Sequence, residues 1–270
     1  MKTRIPNSNL IAVVILLGLA LAVAQFLFAA DQKQARVTEV IRDVNLLSAR
    51  AAARAAVVND TVHEGSSVRT GTESRAELLF LDQTITRLGA NTVFSFGAGA
   101  RTYDLGSGAI LISAPKSAGS VQVRTAVATS AVSGFIAIWE GHRNNWNKVL
   151  LFEGDGWVAL KKNPKDHRHV HDHQMLIFRS DATVLPEPID FSVCAAISNG
   201  LLITGFTNQL PGMPVLAAMC DKEKSSPGKT ALVDPTGQDV TDQSINAHPE
   251  ESAPPPPKPT IPPERGPRRP

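Results

Sequence analysis

Between Gly65 and Phe96, apolar and polar residues alternate in short runs broken by turn residues, and this stretch sets the reading of the whole chain. Val68–Thr70, Arg75–Phe80, Thr84–Leu88 and Thr92–Phe96 have strand length, with Gly71, Asp82-Gln83 and Gly89-Ala90-Asn91 between them. In the second run Ala76, Leu78 and Phe80 fall on one face while Arg75 and Glu77 point the other way, the period of two of a half-buried strand. The pattern predicts a β-meander whose reversals sit at Gly71, Gly89 and Asn91, where positive φ is most easily tolerated.

The same texture extends on both sides. Arg36–Val44 alternates well enough for a first strand with Val37 and Ile41 inward. From Thr61 to Leu160 turn signals recur about every 8 to 12 residues, the spacing of an all-β sandwich, barrel or solenoid rather than of alternating βα units. Gly97-Ala-Gly99, Gly106-Ser-Gly108 and Ala118-Gly119 read as breaks, as do Glu140-Gly141 and Glu153-Gly-Asp-Gly156 around the runs Phe135–Trp139, Val149–Phe152 and Trp157–Leu160. Phe135, Ala137 and Trp139 share a face, as do Trp157 and Ala159, and such repeated large apolar groups are best explained as core. Beyond Met175 the pattern predicts a strand at Leu176–Phe178, a break at Pro186 and Pro188, and a short helix within Ile189–Leu202 before Gly205.

Gly65-x-x-Val68-x-Thr70-Gly71-x-x-Ser74-x-Ala76-x-Leu78, followed by Phe80-x-Asp82-x-Thr84-x-x-Arg87-Leu88-Gly89-x-Asn91-Thr92, resembles the opening half of a FecR domain. Tyr103-Asp-Leu105 with Gly108, Leu111–Lys116 and Val121-x-Val-x-Thr125 are similar to the strands that follow, and the resemblance extends over Arg36–Leu216, with Leu210-Pro211 closing the domain. It implies an all-β, FecR-like twisted β-solenoid or sandwich of short strands. It also implies an extended Ala-rich connection across Leu46–Val58, where local propensity alone favours helix. In two places the chain departs from the family pattern: His173-Gln-Met175 stands where a Gly-Gln-Met-like element is usual, and Phe135 stands where threonine is usual. In that family the domain relays a signal from an outer-membrane transporter to a sigma factor through an N-terminal cytoplasmic helical domain. Here nine residues precede the apolar leader, so the expectation is a module lacking that anti-sigma portion.

The two ends change what can fold. Lys2 and Arg4 precede an apolar run from Leu10 to Ala24, with Ala22-Val-Ala24 as a cleavage site. Continued through Ala30, the same run is long enough to span a bilayer, so residues 1–30 read as signal peptide or as an inner-membrane anchor formed by residues 10–30. Either reading places the remainder outside the cytoplasm, periplasmic or extracellular. Without Lys2 and Arg4 the 27 basic residues fall to match the 25 acidic ones, so no electrostatic basis for nucleic-acid binding remains. At the other end residues 221–270 collect 12 of the 19 prolines, including Pro254–Pro257, and read as a disordered Pro-rich tail that acts as solvated spacer or docking segment. Cys194 and Cys220 are either a disulfide of an oxidising compartment or two buried small residues.

One cluster carries candidate chemistry. His167, His169, His171 and His173 alternate strictly, so on a strand all four imidazoles project to one side about 7 Å apart, with Arg168, Val170 and Asp172 opposite. Two or three of them could hold a divalent metal ion; the plain alternative is a solvated strand edge. Minimal hydrolase, zincin and phosphate-loop motifs are absent from the sequence, and Glu140, Glu153 and Asp155 are turn carboxylates with no motif around them. The sequence therefore points to a non-catalytic, exported FecR-like binding, sensing or scaffold module in the cell envelope, whose partner is an envelope protein or ligand. A periplasmic metal-binding protein built on the histidine cluster is the alternative, and that metal is the one cofactor the chain suggests.

Overall fold

A computed structural model describes residues 34–48, 51–97, 101–142 and 145–225; the leader, residues 226–270 of the Pro-rich tail and most of Gly97-Ala-Gly99 lie outside them. Among the described residues fifteen strands form one continuous hydrogen-bonded system. The chain opens with β1 (Gln34–Ile41), β2 (Val44–Leu47), β3 (Arg54–Ala55) and β4 (Thr61–His63). The register of β1 against its neighbour slips between Val37 and Glu39, a bulge that inserts one residue into the alternation. Ala35, Val37 and then Val40 consequently face the core, whereas unbroken alternation from Val37 assigns Ile41, which is only partly buried. The Ala-rich stretch is extended where it is described: β2 lies between β3 and β5 (Ser67–Thr70), with Leu46 opposite Val68. Cross-strand pairing there overrides helix propensity.

The meander forms as patterned, with β5 followed by β6 (Arg75–Phe80), β7 (Ile85–Leu88) and β8 (Val93–Phe96). Ala76, Leu78 and Phe80 are buried, and Phe80 meets Phe96 and Tyr103 at centroid distances of 5.0 and 5.4 Å in an aromatic cluster that Phe94 completes. Of the expected positive-φ positions only Asn91 has one; Glu73 and Gln83 take the others. Gly71 serves proximity instead, because a Cβ there would lie 2.7 Å from Asp43 Oδ2.

Three long strands follow, two of which run through signals that read as breaks, at Gly106-Ser-Gly108 and at Glu153-Gly-Asp-Gly156. They are β9 (Thr102–Ser113), β11 (Ala128–Gly141) and β12 (Trp146–Leu160), with β10 (Ser120–Arg124) between the first two. Each long strand changes partners midway. The first half of β9 lies beside β8 and β10 and its second half beside β7 and β11. The late half of β12 pairs β13 (His167–Val170), and its early half pairs β14 (Gln174–Arg179), which carries β15 (Ile189–Asp190). The result is two sheets around one core: β14-β12-β11-β9-β7-β6-β1-β4, and β13-β12-β11-β10-β9-β8-β5-β2-β3.

At each crossing stands a glycine with positive φ: Gly108 at 88°, Gly134 at 62° and Gly154 at 119°. The inward parity switches there. Tyr103 and Leu105 give way to Ile110 and Ile112, Val132 to Ala137 and Trp139, and Val149 and Leu151 to Val158 and Leu160. A bend that inserts one residue keeps the core side facing the core while the strand turns a corner. At Gly108 the fit is tight as well, since a Cβ would come within 2.8 Å of Thr92 Cβ. These glycines therefore bend strands instead of ending them. Trp157, expected inside, is only partly buried on the outer face as a consequence; Val158 and Leu160 take the inner-core positions, while Ala159 is buried but outside that core cluster.

The outer face of the first sheet is buried too. Leu111, Ile138, Leu150, Phe152, Met175 and Ile177 form a second apolar cluster with Phe191, Val193, Ala196, Leu202, Ile203, Leu210 and Leu216. The cover consists of α1 (Val193–Asn199), α2 (Leu201–Thr204) and α3 (Met213–Ser225). The predicted helix within Ile189–Leu202 is thus present, divided at Gly200. Helix α3 extends past the boundary expected at Leu216, and residues 221–225 of the expected tail are helical. Cys194 and Cys220 form a disulfide between α1 and α3. Ser192 caps α1 by accepting from Ala195 N, and Glu223 of α3 accepts from Ser192 Oγ at 2.5 Å and Cys194 N at 3.1 Å.

Candidate functional site

Charged groups on the covered face are structural. Glu77, which reads as outward-facing in a half-buried strand, pairs with Arg87 across β6 and β7, with Nε 2.8 Å from Oε2 and no solvent exposure at the guanidinium. Arg87 Nη1 donates to the carbonyls of Leu202 and Ile203, at 3.2 and 3.0 Å, and Nη2 donates to that of Asn208. Its guanidinium carbon lies 4.3 Å from the Phe206 ring centroid. Thr38 Oγ1 donates to Glu77 Oε1 at 2.8 Å. Burial pulls the Arg87 pKa below its ordinary value, with the Glu77 carboxylate opposing that shift. One fork-shaped cation thereby ties carbonyls of α2 and of the loop after it onto the meander. A second pair, Glu140 and Lys148, is fully enclosed between β11 and β12 at 3.1 Å.

The remaining carboxylates that read as turn groups also have side-chain partners. Glu153 lies 2.9 Å from Lys116 and raises its pKa, while Asp155 lies 2.6 Å from His171 Nδ1. Glu140, Glu153 and Asp155 thus face three different side chains, Lys148, Lys116 and His171, and do not pair with one another.

The second sheet's outer face is open. Reading across the strands, one row runs His167, Ala159, Thr129, Arg124 and Asp104; the next runs His169, Trp157, Ala131, Gln122 and Thr102. Arg124 and Asp104 form a two-pronged pair at 2.7 and 2.8 Å. Trp157 is half-buried at the centre, flanked by small or short side chains, and the face continues through Ser95 and Val93 to Arg69 and Asn45. Trp157 was not legible as a surface residue, although Gly154 and Gly156 beside it were the available signal for a parity switch.

The histidine row borders this face. His167 and His169 lie on β13 with ring centroids 5.8 Å apart, and His171, just past the strand, stacks on His169 at 6.2 Å with planes 15° apart. The turn after β13 is fixed to the β12 bend, with Asp172 Oδ1 accepting from Gly154 N at 2.6 Å. His173 leaves the row. It has φ of 64°, and its Nε2 is buried without a hydrogen-bond partner. Strict alternation fails because β13 ends at Val170 and the chain reverses. Among the described residues no three histidine, cysteine or acidic groups converge as they stand on a metal position. Asp166, at the base of β13, is held below the usual carboxylate range, first by the Leu185 N–H and then by Arg168.

The fold is that of an all-β protein with one sheet face capped by helices and buried charge pairs tying the cap to the strands. The sequence model of the family described as FecR protein matches residues 66–155, so the chain carries a FecR domain, the segment from β5 to the β12 bend. No curated protein matches the chain. Two crystal structures of a candidate anti-sigma factor from Parabacteroides distasonis are similar in shape, each with a TM-score of 0.43. They are 15% and 14% identical, over 67% of this chain and 89% and 88% of theirs. Among the described residues no helix is long and apolar enough to cross a membrane.

Proposed function

We propose that the chain is a non-catalytic regulatory module of the cell envelope that binds a protein partner across the open face of its second sheet. The observation that carries this reading is Trp157, held half-buried in the middle of a broad mixed face with Ala131 and Thr129 leaving it accessible. Aromatic anchors ringed by smaller groups supply most of the energy of protein interfaces. The FecR domain supports a regulatory role. Extracytoplasmic placement is supported by Lys2 and Arg4 ahead of the apolar leader, and by the Cys194–Cys220 disulfide, which belongs to oxidising compartments.

A photo-crosslinking residue placed at Gln122 or Ala131 of the full chain in intact cells tests the face. The expected result is a discrete protein adduct in the envelope fraction, lost when Trp157→Glu is added and absent with the crosslinker at the exposed Leu81. Equal labelling from Leu81, or none from the face, refutes the reading.

A further inference from the structure

We propose that His169 and His171, with Asp155 and His167 beside them, form a chelating clip for a borderline divalent transition-metal ion of the Zn2+ and Cu2+ class. Three imidazoles stand in one row at an exposed sheet edge, with centroid separations of 5.8 and 6.2 Å. A metal–nitrogen bond of about 2.0–2.1 Å puts each ring centroid about 3 Å from the ion, so two imidazoles on one tetrahedral ion have centroids about 5 Å apart. The rings must close by only about an ångström, which rotation of exposed side chains supplies without moving the backbone. His171 already presents Nδ1 to Asp155 Oδ1 at 2.6 Å, so an oxygen donor sits within the same few ångströms.

The backbone beneath the clip is pinned. His169 is opposite Trp157 and His167 opposite Ala159 in the β12–β13 ladder, and Asp172 ties the following turn to Gly154. Nitrogen donors on such a support favour Cu2+ over Zn2+ by the general order of divalent affinities. His173, turned away with its Nε2 buried, takes no part. The clip is independent of which protein occupies the sheet face.

The test uses the full chain without added histidines, titrated with Zn2+ and with Cu2+ against a chromophoric chelator. One equivalent is expected to bind, with affinity at least about 10-fold weaker in His169→Ala, the residue shared by both ring pairs, and unchanged in His63→Ala. Cu2+ should also quench the fluorescence of Trp157, a component missing in Trp157→Phe although that variant binds as tightly. Because His169 is exposed, an unchanged thermal midpoint of His169→Ala separates ligand loss from unfolding. No binding, undiminished affinity in His169→Ala, or an equal loss in His63→Ala overturns the proposal.

Discussion

Arg87→Met removes the cation that joins the meander to the helical cover and leaves everything around it in place. Glu77, whose side chain is 4% exposed, then keeps only Thr38 at 2.8 Å and a weak 3.5 Å contact from the Asn208 amide. The carbonyls of Leu202, Ile203 and Asn208 lose their donors at the same time. Breaking a buried pair by removing one partner costs about 3–5 kcal/mol, and about 2–4 °C of midpoint accompanies each kcal/mol in a domain of this size. Arg87→Met/Glu77→Leu also removes the stranded carboxylate, so it should recover part of the loss. The unmet carbonyls remain, leaving about 1–3 kcal/mol. Urea unfolding with the disulfide intact gives both magnitudes, and hydrogen exchange should show residues 200–208 opening first. Arg87→Met within about 1 kcal/mol of the parent, or a double variant no more stable than the single one, would refute the assignment of Arg87 as the lock.

Replacing Cys194 and Cys220 by serine opens a loop spanning a separation of 26 residues, which chain-entropy reasoning values at about 3.5 kcal/mol, read as a lower urea midpoint. Gly134→Ala should cost about 1–2 kcal/mol for a left-handed backbone with nothing near the added methyl, and Gly108→Ala distinctly more because that methyl meets Thr92; equal costs in thermal melts would contradict the bend geometry. Asp166 is ionised more readily in the folded chain than in the unfolded one, so the stability it contributes is full above about pH 4 and fades as the pH falls through its lowered folded-state value. Asp166→Asn should therefore lower the thermal midpoint at pH 7 and reduce its decline on acidification, and a parallel pH profile would count against the Leu185 contact as the cause.

Period-two patterning made the inner faces of the meander readable, since Ala76, Leu78 and Phe80 need only one core to be explained. It could not show that the other face is covered as well. Glu77 looks solvent-facing from its neighbours, and what covers it and its partner Arg87 is a segment more than a hundred positions downstream. Glycine was misleading for a related reason. The same residue ends strands and bends them, and only the partner strand distinguishes the two, which is why Trp157 was assigned to the wrong side of Gly154. The histidine row was visible in the sequence up to His171, and failed at His173 because alternation holds only while the chain stays extended.

The lock at Arg87 also has a temporal consequence. During synthesis the strands of the FecR segment are complete long before residues 202–208 leave the ribosome, and until then a guanidinium and a carboxylate meant for the interior sit on an unroofed sheet. The nascent chain must wait for this later stretch before that wall can dry, so a fragment cut at the end of the matched segment should behave as an unfinished intermediate, prone to hold water or a chaperone where the helices belong.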